Sequence, residues 1–152
     1  MIVVRDGAAA DRAFAEDLGK RTMNDSVAPF RHSHPALTEA SYLNLLDYVF
    51  AQSHVFLIAD DEDRRAGFLL MLDELPDEVT RMPQGFVAYM AVETWARRRG
   101  IASRLLESAE GIARQRGLPY MGLMVTESNE AARALYGRAG YLSERRLLCK
   151  PL

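Results

Sequence analysis

The stretch Met90-Ala-Val-Glu-Thr-Trp-Ala-Arg-Arg-Arg-Gly-Ile-Ala-Ser103 decides how this chain is read. It starts at the end of an apolar strand, Phe86–Val92, crosses a short turn with three arginines, and enters a helix at Gly100. The helix expected over Gly100–Arg116 gathers Ile101, Leu105, Leu106, Ala109, Ile112 and Ala113 on one stripe. Gly117 and Pro119 stop it. The first amides of a helix have no intrahelical acceptor, and the helix dipole adds partial positive charge there. A strand-to-helix turn with a small residue at its closest approach therefore makes an anion cradle. Gly100 admits an anion to the backbone, and Ala102 is the next smallest choice. Arg97, Arg98 and Arg99 oppose the positive end of the helix unless an anion lies among them. Taken alone the turn is weak, since many glycines only ease a turn and an arginine-rich turn is usually solvated. Two phosphate folds are excluded by pattern: no Gly-x-Gly-x-x-Gly follows the first strand, and there is no Gly-x-x-x-x-Gly-Lys-Ser/Thr.

On the C-terminal side, Tyr120–Thr126 reads as a strand, Asn129–Ala139 as a helix closed by Gly140, and Tyr141–Lys150 as a last strand or strand pair. On the N-terminal side, Ile2–Arg5 is a short strand. Asp11 is placed to cap a helix running to about Met23, and Thr38 a second one through Phe50. Val55–Ala59 and Ala66–Leu72 form a hairpin around the charged turn Asp60–Arg64, whose acids belong to a solvated tip. Pro-containing loops fill Asn24–Leu37 and Leu75–Gln84. The order is strand, two helices, three strands, helix, strand, helix, strand, which is a mixed α/β sheet with helices on its faces in one domain over residues 1–152.

Ser128-Asn-Glu-Ala-Ala-Arg-Ala-Leu-Tyr-Gly-Arg-Ala-Gly-Tyr141 sets Asn129, Ala132 and Tyr136 on one helix face at spacings of three and four. An amide, a small gap and a phenol in a row can line a slot for a thin ligand arm. An ordinary amphipathic helix with a half-buried tyrosine has the same pattern. The two clusters together, Arg97-x-x-Gly100-x-Ala102 and then Asn129-x-x-Ala132-x-x-Leu135-Tyr136-x-x-x-Gly140-Tyr141, resemble the GNAT N-acetyltransferases. Those carry Arg/Gln-x-x-Gly-x-Gly/Ala and Asn-x-x-Ala-x-x-x-Tyr-x-x-x-Gly-Phe/Tyr. The resemblance is specific over residues 86–141 and loose over 20–85.

That resemblance implies a GNAT-like fold: a mostly antiparallel central sheet, helices on both faces, and a splayed strand pair holding acyl-CoA. It implies acetyl-CoA as cosubstrate, its pyrophosphate on the turn amides of Arg98, Arg99, Gly100, Ile101 and Ala102, flanked by Arg97 and Ser103. Met90, Ala91 and Val92 would offer the strand edge to the pantetheine arm, with an amide polarising the thioester carbonyl. Asn129 and Ala132 would line the arm, and Tyr136 would protonate the departing thiolate. The implied reaction is direct attack by an amine, without a covalent enzyme intermediate. The base is left open, because Phe86–Val92 lacks the glutamate many relatives carry. Glu39, Asp73, Glu74, Tyr89 and His34 are candidates, and Glu93 is the nearest acid. A CoA-binding regulatory module without catalysis is the rival reading.

Bulk properties agree with such a protein. The net charge is −2, with 49% hydrophobic and 26% charged residues. Residues 1–96 hold 8 Lys/Arg against 16 Asp/Glu, and residues 97–152 hold 11 against 5. A basic C-terminal part suits a polyanionic cosubstrate, and an acidic N-terminal part suits a cationic acceptor. Glu74, Asp77 and Glu78 are the acids expected near an acceptor amine, on a small molecule or a peptide. Cys149 is the only cysteine, so no internal disulfide or cysteine metal site forms; it is expected as a small packed residue. His32 and His34 lie in a loop without further ligands at metal spacing, and no metal is expected. The basic residues lack interleaved aromatics, which argues against nucleic acid. No apolar run approaches the ~20 residues of a membrane span, and no signal peptide is legible. The expected setting is cytoplasmic, with a homodimer open.

Overall fold

The computed structural model describes residues 1–152. Five strands form one sheet in the order β1 (Ile2–Asp6), β2 (His54–Asp61), β3 (Arg64–Leu72), β4 (Gly85–Val92), β5 (Met121–Leu123). The first three pairings are antiparallel and β4–β5 is parallel. Helices α1 (Arg12–Thr22) and α2 (Pro35–Ala51) cover one face, while α3 (Ile101–Gln115) and α4 (Glu130–Arg138) lie on the other. The expected mixed, mostly antiparallel sheet with helices on both faces is what the chain forms.

Two helical layers explain why β3 is apolar without alternation. Phe68, Leu70 and Leu72 face α1 and α2, and Leu69 and Met71 face α3; all five are buried. A strand covered on both faces needs apolar side chains at every position. The α3 stripe of Ile101, Leu105, Leu106, Ala109 and Ala113 is buried as the periodicity requires. Each fully buried Leu, Ile or Phe contributes ~1.5–3 kcal/mol.

Local signals account for most boundaries, with corrections. The carboxylate of Asp11 does not cap α1. It is buried and accepts from Arg5 (2.7 Å), from Arg65 (2.6 Å) and from the Ala8 amide (2.9 Å). Thr38 does not start α2, because Pro35 occupies its first position with φ already helical and His34 Nδ1 accepts from the Ala36 amide at 3.3 Å. The hairpin turn uses Glu62 and Asp63 at φ 50° and 65°, the left-handed pair of a two-residue turn. Asp61 in that acidic run is buried rather than solvated.

The chain departs most from expectation after α3. β5 is confined to Met121–Leu123, shorter than Tyr120–Thr126, and no strand forms over Tyr141–Lys150. A strand needs a neighbour for its backbone, and the last residues have none. Tyr141 is tethered through its hydroxyl to Glu110 (3.3 Å) and packs edge-to-face on Tyr136. Arg145 then pairs with Asp77 and Glu78, drawing the chain toward the β3–β4 connection. Cys149, expected to be packed, is exposed. No helix is long and apolar enough to cross a membrane.

Candidate functional site

The site begins with a change of parity in β4. β4 pairs with β5 only from Gly85↔Met121 to Val87↔Leu123. Against β3 the register jumps, Leu70 facing Tyr89 and Met71 facing Val87, which leaves Ala88 as a bulge residue. Below the bulge the Gly85 amide donates toward β5, to Tyr120 O at 2.9 Å; above it the Glu93 amide donates toward β3, to Ala66 O at 2.8 Å. Backbone groups alternate sides along a strand. Odd residues below Ala88 and even ones above it therefore face the β5 side, so Met90 and Val92 aim their peptide groups there. β5 has already left the pairing at Leu123, and a short open edge results: the expected splay. Val92 O accepts from Arg97 Nε at 3.4 Å. Met90 and Val92 side chains pack on the α3-side core, whereas the Ala91 side chain belongs to the α1–α2 core.

Immediately above the splay, the amides of Arg98, Arg99, Gly100, Ile101, Ala102 and Ser103 make no hydrogen bond within the chain; the first helical bond is Arg104 N to Gly100 O, 3.1 Å. Arg98 and Gly100 sit at φ 65° and 82°, which turns successive N–H groups to one side, an anion-binding nest. A Cβ built on Gly100 meets nothing within 4 Å, so its outer side is open. The arginine side chains are less available than their clustering implies. Arg99 Nη1 lies 2.6 Å from buried Asp61 Oδ2, and Arg97 lies 3.8 Å from Asp25. Only Arg98 lacks a carboxylate partner. The backbone is thus the stronger anion-binding element. Ile101 fills the core, and Ser103 lines a groove of about 310 Å³ between α3 and α4 with Leu106, Glu107, Glu110 and Leu135.

Helix α4 presents Asn129, Ala132 and Tyr136, all half-buried. Asn129 caps the helix, its Oδ1 accepting from the Ala132 amide at 3.2 Å, which leaves its amide nitrogen to donate elsewhere. Tyr136 packs on the same core cluster as Met90 and Val92. Burial raises the pKa of its phenol, which keeps its proton at neutral pH.

Several contacts had no short-range signal in the sequence. The segment Met23–Ser26 bridges the splay: Thr126 Oγ1 donates to Ser26 O at 2.7 Å, and Arg97 approaches Asp25. Arg21 makes a paired contact with Glu93, 3.1 and 2.7 Å, so the acid nearest the turn is engaged. Tyr89, whose phenol is raised by burial, shares a hydrogen bond with Thr22 at 3.0 Å. Among the other candidate bases, Glu39 pairs with Lys20, and Asp73 with Arg116 just past the far end of α3. The loop Leu75–Gln84 lies at that same end, away from Gly100. Asp77 there is spent on Thr80 and Arg145, so this loop does not border the splay.

A family model for the acetyltransferase (GNAT) family matches residues 19–141. A Pyrococcus furiosus protein described as an acetyl transferase superposes with a TM-score of 0.83 at 25% identity, over 100% of both chains. A ribosomal-protein-alanine N-acetyltransferase from Brucella melitensis gives 0.71 at 19% identity, over 99% of each. An aminoglycoside N-acetyltransferase in complex with CoA gives 0.70 at 16%, over 99% of this chain and 98% of that one.

Proposed function

Since the chain belongs to the acetyltransferase (GNAT) family, we propose that it transfers an acetyl group from acetyl-CoA to a primary amine of a small molecule or peptide. The observation that carries this reading is the run of six unpartnered amides, Arg98–Ser103, standing directly above the open edge of β4. The donor set fits the group: consecutive N–H groups suit a pyrophosphate, and an open strand edge suits the amides of an extended arm. Acetyl-CoA supplies the acyl group as a thioester.

The residues then divide the work. Arg98–Ser103 hold the anion through the backbone, with Arg98 as the free cation. Met90 and Val92 orient the arm, and one of their amides donates to the thioester carbonyl oxygen as negative charge develops there. The Asn129 amide nitrogen donates to the arm. Tyr136, protonated at neutral pH, gives its proton to the sulfur as the amine attacks directly, the C–N bond forming and the C–S bond breaking. The proton that the amine sheds passes to solvent, which reprotonates Tyr136. Asn24–Ser26, bridged to Thr126, walls the acceptor side.

The two N-acetyltransferases that share this fold act, by their names, on a protein alanine and on aminoglycosides, so the acceptor is sought among both kinds. The test is thiol release from acetyl-CoA across polyamines, aminoglycosides, amino acids, and peptides with free N-termini or lysines. Release with one class supports transfer and names the acceptor. Tight binding of acetyl-CoA with no release for any amine would replace the enzyme with a binding module.

A further inference from the structure

Arg98 is not glycine, yet it holds φ 65°, a left-handed conformation that L-residues avoid. Such a residue persists only where its surroundings over-determine it. Its own side chain has no carboxylate partner. Arg97 before it is held loosely, 3.8 Å from exposed Asp25. The restraint comes from another direction, the end of the β2–β3 hairpin that lies against the turn.

The hairpin grips the turn at three points. Arg64 lays its guanidinium over the Trp95 ring, 4.1 Å from the centroid. Gly67 makes room for Ile101: a Cβ there would fall 3.3 Å from Ile101 Cγ2 and 2.8 Å from Ala91 O. Between these two, Asp61 Oδ2 lies 2.6 Å from Arg99 Nη1, and no other donor bonds to that oxygen. Asp61 Oδ1 is 3.7 Å from the Met1 nitrogen. The Asp61 side chain is 2% exposed and that of Arg99 48%. A carboxylate buried so deeply demands a fixed cation. Arg99 is therefore pinned in place between the two left-handed residues, Arg98 and Gly100.

We infer that Asp61 is a positioning residue for the acyl-CoA pyrophosphate: through Arg99 it holds the Arg98–Ala102 amides in the geometry that receives the anion. The inference rests on the acyl-CoA reading and extends it to an acid outside both cofactor motifs. Two effects of opposite sign compete at Asp61. A bare carboxylate beneath the turn repels an anion, whereas a fixed Arg99 keeps the amides convergent. The pair has its cation at the exposed end and its carboxylate at the buried end, so the repulsion is largely cancelled and the restraint prevails. Without Asp61 the turn relaxes, and binding must re-form the left-handed residue, a loss of preorganisation. Asp61 touches neither the anion nor the reacting atoms.

The test is calorimetric titration of the native chain, Asp61→Asn, Arg99→Met and the double variant with acetyl-CoA and with acetyl-pantetheine, which lacks the pyrophosphate. Asp61→Asn keeps the side-chain shape and leaves only a half-exposed guanidinium unpaired, so it is the variant safer for folding. Arg99→Met strands a buried carboxylate. For Asp61→Asn the Kd of acetyl-CoA should rise about 5- to 30-fold, the cost of re-forming one left-handed residue, with acetyl-pantetheine binding unchanged. Arg99→Met should match it, and the double variant should be no worse than either single, since all three break one link. Native or tighter binding of acetyl-CoA by Asp61→Asn overturns the inference, as does a weakening shared by acetyl-pantetheine. Additive losses in the double variant also overturn it, because Arg99 would then contact the anion itself. A native chain that binds acetyl-CoA no better than acetyl-pantetheine would instead remove the anion cradle, and this inference with it.

Discussion

Replacing Gly100 with alanine separates the cofactor role of the turn from its role in folding. Gly100 holds φ 82° and ψ 6°, where an L-residue costs roughly 1–2 kcal/mol. The added methyl meets no atom within 4 Å in the protein itself, so the backbone term is the whole folding cost. For a chain of this length it lowers Tm by about 2–8 °C. The same methyl enters the open space beside the Gly100 backbone, where the proposed pyrophosphate approaches the turn amides. Losing one hydrogen bond to a charged group costs ~1.5–3 kcal/mol, which raises the Kd of acetyl-CoA about 10- to 150-fold. Calorimetric titration with acetyl-CoA and with CoA should show the same weakening, since both carry the pyrophosphate. Binding of acetyl-pantetheine, which lacks it, should be unaffected. A variant that loses the expected Tm yet binds acetyl-CoA as tightly as the native chain would refute the placement of the anion on this turn.

Other perturbations test other links. Tyr136→Phe should lower kcat about 100-fold, the scale of a lost general acid, with acetyl-CoA affinity kept; unchanged kcat would remove the role. Burial raises the Tyr136 phenol, so any alkaline fall in kcat caused by its ionisation should lie above the ordinary tyrosine value of about 10, and the Phe variant should lack that limb. Gly19→Ala should destabilise by ~1–3 kcal/mol through overpacking, because its Cβ falls 1.8–2.3 Å from the Tyr42 ring. Gly111→Ala, in the same kind of helix interior with nothing within 4 Å, should stabilise by ~0.5–1 kcal/mol, and thermal melts compare the two. Asp11 is held well below the usual carboxylate range, chiefly by its hydrogen bond from Arg5. A folded pKa below the unfolded one adds stability that is full above about pH 4 and is lost as pH falls toward the folded value. Asp11→Asn should therefore be less stable at neutral pH and lose less stability on acidification.

What the sequence made legible is what local rules govern. The α3 stripe from Ile101 to Ala113 and the apolar β2–β3 hairpin read directly, because periodicity and two-sided burial leave a pattern in neighbouring residues. Gly100 reads as the point where an anion reaches the backbone; the structure adds that it holds a left-handed turn before α3, which leaves few alternatives to glycine. Asn129 reads as an amide for a ligand slot, and the cap that it supplies to α4 goes unread, although asparagine is a preferred residue there. The arginine cluster read as an anion site, yet Arg99 is bound by Asp61 across the hairpin, a pairing that no spacing announces. The strap from Ser26 to Thr126 spans 100 residues, and the separation of Leu75–Gln84 from the splay depends on sheet order. The last strand failed for a different reason. The apolar residues of Tyr141–Lys150 have strand character, but Tyr141 is held by Glu110 and Arg145 by Asp77 and Glu78, contacts distant in sequence that draw the segment away from the sheet.

The proposed site holds one acyl-CoA molecule on the amides of Arg98–Ser103 and the open edge of β4, beside Tyr136. A crystal structure of the acetyl-CoA complex tests it most directly. The pyrophosphate is expected on the Gly100 turn, the arm paired with Met90 and Val92, and the sulfur within hydrogen-bond reach of the Tyr136 hydroxyl. Acetyl-CoA seated elsewhere, in the groove between α3 and α4 for instance, or a sulfur remote from Tyr136, would contradict it.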